Sequence, residues 1–290
     1  LRANVARDDY AAVAVTYAPG LVGSLLIVSL AARTLSIFKH QPLYQIHHVA
    51  AHVYANFITS SSDEVPFTSP FPISQPLFPM LALIVSGGHS QLVLFQNHGD
   101  YTLLGQTQDD AIGEAFDKVA KINGLPYPGG PSIAAAALEG DPLAYSFPKA
   151  KMSGTYDFSF SGLKTAVLRR VQAHCGVRHD FPSFELATLL DDATRHNFAA
   201  SFQHIAVETL VDKTELAFRE HFPASVVIAD GVAAHQALRP ALRAELALTN
   251  SSAPTRSQPN NAAQHAGPTF AGDQPPTRAG QASSGGTHSD

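Results

Sequence analysis

His48 and His52 stand four residues apart in His-His-Val-Ala-Ala-His-Val-Tyr, a stretch whose spacing predicts a helix from about His48 to Ile58. Positions i and i+4 share one helical face, so the two imidazoles are close enough to hold a divalent metal ion between them. The plainer alternative is a helix with surface histidines, common in a chain that contains 14 of them. A zincin helix has glutamate directly after its first histidine, and Val49 stands there instead. The water-activating base of a metalloprotease is therefore missing, and protease chemistry is disfavoured.

A second cluster is built on glycine. Ser86-Gly87-Gly88-His89 separates two apolar runs, Leu81 to Val85 and Gln91 to Phe95, and predicts a hairpin whose backbone amides approach an anion without obstruction by Cβ atoms. It lacks the Gly-Lys-Ser/Thr ending of a P-loop, and an ordinary tight hairpin is the alternative. Downstream, Asp110, Glu114 and Asp117 fall at i, i+4 and i+7 of a helix predicted from Asp109 to Asn123, with Ala111, Ala115, Phe116 and Val119 as its packing face. Carboxylates so placed grip ribose hydroxyls or a metal-bound water. A solvated face balanced by Lys118 and Lys121 accounts better for Glu114 than for Asp117, which lies near a second glycine loop. That loop, Pro128-Gly129-Gly130-Pro131, is too rigid and glycine-rich for a casual linker, and close approach of backbone to ligand is its simplest use. Hairpin, acidic helix and glycine loop in succession build a site for a phosphorylated, ribose-bearing ligand.

Strands alternating with helices must position these groups, and the pattern reads as α/β. Ala11 to Thr16 predicts a strand, Ala18-Pro19-Gly20 a turn, and Gly23 to Ser36 a helix apolar all round, as a core helix beneath a sheet is. A second strand is expected at Pro42 to Ile46. The proline-rich stretch from Ser60 to Pro79 reads as a boundary, giving a first region at 1–77 with the histidine helix and a second at 78–248 with the glycine loops. Further helices are expected at Ser132 to Glu139, Leu163 to His174, Phe184 to Thr188, Asp191 to Phe218 and Ala233 to Leu248, with a strand at Ala224 to Ala229. Among the residues 249–290 Phe270 is the one large apolar side chain, so this tail reads as disordered.

A net charge of -5 excludes coating of nucleic acid through bulk charge. Any RNA contact must come from a partner or from a local basic face, for which Lys164, Arg169 and Arg170 are the candidates. A lone cysteine, Cys175, excludes a disulfide framework and fits a reducing compartment, with the cytoplasm as default. The most hydrophobic run, Leu21 to Ala32, is twelve residues long and stops at Arg33. A membrane span needs roughly 20, so a buried helix is expected and no membrane partner.

Taken together, PGLVGSLL at 19–26, HHVAAH at 47–52, FPMLALIVSGGHSQL at 78–92, DDAIGEAFDKVAK at 109–121, GLPYPGGP at 124–131 and YDFSFSGLKTAV at 156–167 closely resemble the tRNA adenosine threonylcarbamoyltransferases, in their bacterial and organellar branch. The resemblance runs from about residue 9 to 248. It implies an actin-like, Hsp70-like two-lobed fold, here incomplete at both ends, that transfers the threonylcarbamoyl group from threonylcarbamoyl-AMP to N6 of adenosine 37 in tRNAs reading codons that begin with A. On the matching positions, His48 and His52 would hold one divalent metal ion, iron or alternatively zinc. Ile84, Val85, Ser86, Gly87, Gly88, Asp117 and Gly130 would line the adenylate site. The resemblance also implies a paralogous actin-fold subunit and a small ATPase subunit as partners, or a homodimer and the mitochondrial matrix if the source is organellar.

Three departures stand out. The chain starts at Leu1, where the family has an earlier strand and phosphate-contacting loop. A turn that reads Gly-Gly-Val-x-Ala-Asn in the family is Asp230-Gly231-Val232-Ala233-Ala234-His235 here, so His235 replaces the nucleotide-touching asparagine and Asp230 brings a carboxylate toward phosphates. The closing Asp-Asn pair, whose aspartate completes the metal site, has no counterpart after Leu248. The chain thus reads as an incomplete enzyme of this family; a non-catalytic paralogue serving as a scaffold is the alternative.

Overall fold

Two strands, Val13–Ala18 (β1) and Leu43–His47 (β2), pair in parallel. Parallel neighbours need a crossover, and the helix Val22–Lys39 (α1) supplies it. β2 runs without a loop into a second helix, His48–Tyr54 (α2), so the strand fixes where the helix starts. This is a computed structural model of the chain, and it describes residues 10–57, 76–229, 237–252 and 269–270.

The larger sheet has five strands. Met80–Val85 (β3), Ser90–Asn97 (β4) and Asp100–Gln106 (β5) run antiparallel in succession, while Ser225–Ala229 (β6) pairs in parallel with β3 on its other side. Every residue of β3 and of β6 is buried. A strand covered on both faces reads as a continuous apolar run, which is why Met-Leu-Ala-Leu-Ile-Val shows no polar alternation. Its period of two is visible in the packing. Leu81, Leu83 and Val85 enter the larger core, whereas Met80, Ala82 and Ile84 meet Val49 and Val53 of α2 on the opposite face.

The larger core lies under five helices: Ile112–Ile122 (α3), Gly129–Ala137 (α4), Ser161–His174 (α5), Asp192–His221 (α6) and Leu238–Ser252 (α7). Aromatic rings set its contacts, with Phe116 edge-on to Phe202 at 4.9 Å between centroids and Tyr145 stacked on Phe198 at 3.9 Å. α6 starts where the Asp191 carboxylate accepts the Thr194 N–H at 2.7 Å, a side-chain cap for an otherwise orphaned donor.

The α/β pattern expected from the sequence is present, and several details differ. α1 is not a core helix: none of its residues is buried, and Val22, Ile27, Ile37 and Phe38 are 70–82% exposed. The short β1–β2 pair covers one side of it, and no second layer lies beyond among the described residues. By length and composition alone its 18-residue window, mean hydropathy 1.5, suffices to cross a membrane, as do many core helices. The antiparallel strand β5, Asp-Tyr-Thr-Leu-Leu-Gly-Gln, is not among the elements expected from the sequence. The tail is not wholly without structure. α7 continues to Ser252 because Leu238, Leu242 and Leu246 anchor it, and Thr249 Oγ1 donates to Glu215 at 2.9 Å. Thr269–Phe270 (β7) then pairs in parallel with β6. Most of the boundary stretch, at 60–75, and the segment 230–236 with His235 lie outside the described residues.

Phe202, fully buried against Phe116, should dominate the stability of the helical layer. Phe202→Ala is expected to lower unfolding free energy by about 3–5 kcal/mol in urea titrations. A loss below about 1 kcal/mol would mean that the α3–α6 contact is not the packing that holds this layer.

Candidate functional site

α2 places its two histidines as the spacing predicts. His48 Nε2 and His52 Nε2 lie 3.2 Å apart, with the rings at 86°. One ring nitrogen donates to the other at this distance, and two nitrogens each at about 2.0–2.1 Å from one tetrahedral zinc would be about 3.3 Å apart, so the spacing suits a mutual hydrogen bond and two metal ligands alike. Val49 and Val53, buried against the sheet, fix the helix rotation that turns both imidazoles the same way. Among the described residues no further histidine, cysteine or carboxylate joins them in a group of three.

At the end of β3 the turn Ser86 to His89 is closed from within. The Ser86 N–H donates to the His89 carbonyl at 2.8 Å, and the His89 and Gly88 N–H groups donate to Ser86 Oγ at 3.1 and 3.4 Å. Gly87 and Gly88 are exposed, and a Cβ at either would meet nothing within 4 Å. Open space stands in front of both glycines, as access to an anion requires. Ile84 and Val85 are fully buried strand residues, so what they offer a ligand is backbone only.

Beneath this turn lies the start of α3. The Gly113 N–H donates to the Ser86 carbonyl at 3.2 Å, and a Cβ on Gly113 would stand 2.7 Å from that oxygen and 2.8 Å from Gly87 Cα. Only glycine lets the helix come so close. The Ile112 N–H is taken by the buried Ser90 Oγ of β4 at 2.9 Å. One turn further on, Asp117 Oδ1 accepts the Gly129 N–H at 2.7 Å, where a Cβ on Gly129 would be 2.5 Å from Asp117 Cα. Gly130 beside it faces open space. Gly113 and Asp117, at i and i+4, are thus one face of α3 on which both glycine loops rest, about 6 Å apart along the axis.

The acidic stripe Asp110, Glu114 and Asp117 divides: Asp117 holds Gly129, while Asp110 and Glu114 share Lys118. α3 begins at Ile112, not at Asp109, with the Asp109 carboxylate bound to the start of α5 and that of Asp110 bridging α3 and α5. Asp109 accepts the N–H groups of Phe160 and Ser161 at 2.9 and 3.2 Å and the Ser159 hydroxyl at 2.6 Å, capping α5 from 51 residues away. Asp110 accepts from Lys118 at 2.9 Å and from Lys164 at 3.1 Å, joining α3 to α5. Burial pushes its carboxyl up, but hydrogen bonds from Lys118 and then Lys164, with their charges, outweigh that and hold it below its ordinary value. Glu114 pairs with Lys118 at 2.6 Å, as a solvated charged face would.

The small basic face expected on α5 is spent internally. Lys164 serves Asp110, Arg169 donates to the His179 carbonyl at 2.9 Å, and the Arg170 guanidinium lies 5.5 Å over the Tyr145 ring. Sequence reading missed Asp109, Ser90 and Gly113 as parts of the site. For Gly113 a signal was present, since glycine in a helix costs about 1 kcal/mol against alanine and implies close packing.

Asp110→Asn removes both lysine pairs. Because the folded carboxyl sits below its ordinary 3.8, the stability it contributes is complete above that pH and lost as pH falls through the folded value. The difference in urea midpoint between wild type and the variant should be full at neutral pH and close below 3.8. A difference independent of pH would remove Asp110 as the link between α3 and α5.

The family model described as TsaD, tRNA N6-adenosine threonylcarbamoyltransferase, matches residues 1–257. Curated bacterial proteins carrying the name tRNA N6-adenosine threonylcarbamoyltransferase are similar to the chain. That of Thermomicrobium roseum is 44% identical over 250 residues, 83% of this chain and 66% of the relative. That of Gloeobacter violaceus is 46% identical over 231 residues, 80% of this chain and 60% of the relative. That of Symbiobacterium thermophilum is 44% identical over 244 residues, 84% of this chain and 64% of the relative. The chain thus spans between 60% and 66% of the length of these relatives.

Proposed function

This chain belongs to the tRNA N6-adenosine threonylcarbamoyltransferase family, and from that premise we propose that it transfers the threonylcarbamoyl group of threonylcarbamoyl-AMP to N6 of adenosine 37 in tRNAs reading codons that begin with A. The observation that carries the reading is the common seat of both glycine loops on α3, the first on Gly113 and the second on Asp117. An actin-like arrangement of two lobes, 1–77 and 78–248, frames the cleft in this reading.

The residues divide the work as follows. The N–H groups of Gly87 and Gly130 face the phosphate, where open space at each glycine lets an oxygen approach, while those of Ser86, Gly88 and His89 hold the turn itself. Asp117 has one oxygen committed to Gly129 and its other oxygen for a ribose hydroxyl. The N6 amine attacks the carbamoyl carbon, the bond from that carbon to the phosphate oxygen breaks, AMP leaves with the electron pair, and the N6 proton passes to solvent. AMP is already a good leaving group, so holding the two reactants in line is the main contribution of the protein.

His48 and His52 fit a divalent metal ion, iron or zinc, by the separation of their Nε2 atoms. Such an ion would supply Lewis acidity beside the carbamoyl oxygen. Further members of this reading are a paralogous actin-fold subunit and a small ATPase subunit, or a second copy of the chain, in a cytoplasmic setting.

Incubated with tRNA and threonylcarbamoyl-AMP, the chain is expected to form threonylcarbamoyladenosine, read by nucleoside mass spectrometry. His48→Ala combined with His52→Ala should lose bound metal and cut product formation by roughly two orders of magnitude. Product formed at the wild-type rate by metal-free protein would remove the role given to the histidines, and no product from wild type would overturn the reading.

A further inference from the structure

On the flank of α3, next to Asp117, lies a groove of about 630 Å³ that the transfer chemistry leaves unused. Two exposed aromatic side chains line it, Tyr127 at 84% and Phe184 at 66% exposure. Single exposed rings are ordinary, but these two come from separate segments of the chain to one depression. Its charges are unequal in availability. Glu114 is paired with Lys118, and Asp117 is engaged by the Gly129 N–H. Lys121 is exposed in the last turn of α3 and makes no ion pair among the described residues.

Flat apolar faces beside one available ammonium are what an unstacked nucleotide needs, the base lying on an aromatic ring and the phosphate on the cation. The volume also falls within the range of small-ligand sites, about 300–1,000 Å³. We propose that the groove lined by Tyr127, Phe184 and Lys121 receives an unpaired nucleotide of the tRNA substrate that flanks the reacting adenosine. The inference rests on the function proposed above and adds a location to it. Continuity through Asp117 supports it, because that residue is at once in the groove wall and bound to the second glycine loop, so a nucleotide held here lies next to the proposed adenylate site. Lys164, Arg169 and Arg170, the basic residues that sequence alone favoured for RNA, are engaged within the fold. Stacking is indifferent to base identity, so the groove would hold the strand without reading its sequence.

The test is fluorescence anisotropy with a labelled anticodon stem-loop RNA, alongside calorimetry of the same proteins with threonylcarbamoyl-AMP. Tyr127→Ala and Phe184→Ala are expected to weaken RNA binding by roughly one to two orders of magnitude each. Tyr127→Phe, which keeps the ring, should bind as wild type does. Lys121→Gln should reduce the slope of log affinity against log salt by about 0.7, the value for one single-strand phosphate contact. Phe38→Ala, equally exposed but on α1, should change nothing, and all variants should bind the acyl-adenylate normally. RNA binding unchanged in both alanine variants overturns the inference, as does a change confined to self-association measured by sedimentation, which would make the groove a protein contact. If both alanine variants bind RNA as wild type does while wild type forms threonylcarbamoyladenosine, the groove assignment fails alone. If wild type binds neither RNA nor the acyl-adenylate, the proposed function fails with it.

Discussion

The site depends on how closely α3 approaches the end of β3. Gly113 brings the helix backbone under the Ser86–Gly87 peptide, and four residues later Asp117 holds the Gly129 N–H. Neither contact tolerates a larger neighbour, since a Cβ at Gly113 or at Gly129 would run into backbone atoms, which cannot swing aside as a side-chain tip can. Two loops distant in sequence are thereby held on one rigid face. Precision of this kind is hard to build from loops alone, and a helix with both ends anchored provides it. Ser90 fastens the start of α3 to β4, and Asp110 with Lys118 and Lys164 fastens it to α5.

β3 relates this assembly to the histidine pair. Its odd-numbered side chains enter the core under α3, and its even-numbered ones meet Val49 and Val53 of α2. A slip of one residue in its pairing would exchange the two sets and move both helices at once. The parallel strands β3 and β6 end side by side, with Ile84 opposite Ala229, so the Ser86 turn emerges at the carboxyl edge of the sheet. Ligands of open α/β sheets are bound at that edge, which agrees with glycines left open there.

Local pattern made the hairpin, the i and i+4 histidines and the glycine loops legible, because each depends on residues a few positions apart. What stayed hidden depends on distant partners. Asp109 looks like the start of a helix, yet its carboxylate caps a different helix 51 residues on, and no periodicity encodes that. α1 is apolar all round and reads as core, but apolarity states only that a helix needs cover, not that cover is at hand. Thr249 looked like the first residue of a polar tail, and a leucine row one turn apart carries the helix through it. Lys164, Arg169 and Arg170 looked like an RNA surface because sequence shows charge but not its internal partners.

The shared seat on α3 is most directly tested by a double-mutant cycle between Gly113→Ala and Asp117→Asn, read as affinity for threonylcarbamoyl-AMP by calorimetry. If both loops are positioned by one face of the helix, the two losses should be non-additive, with a coupling of at least about 0.5 kcal/mol. Strict additivity, or affinity unchanged by either substitution, would show that the loops are placed independently and would contradict the account.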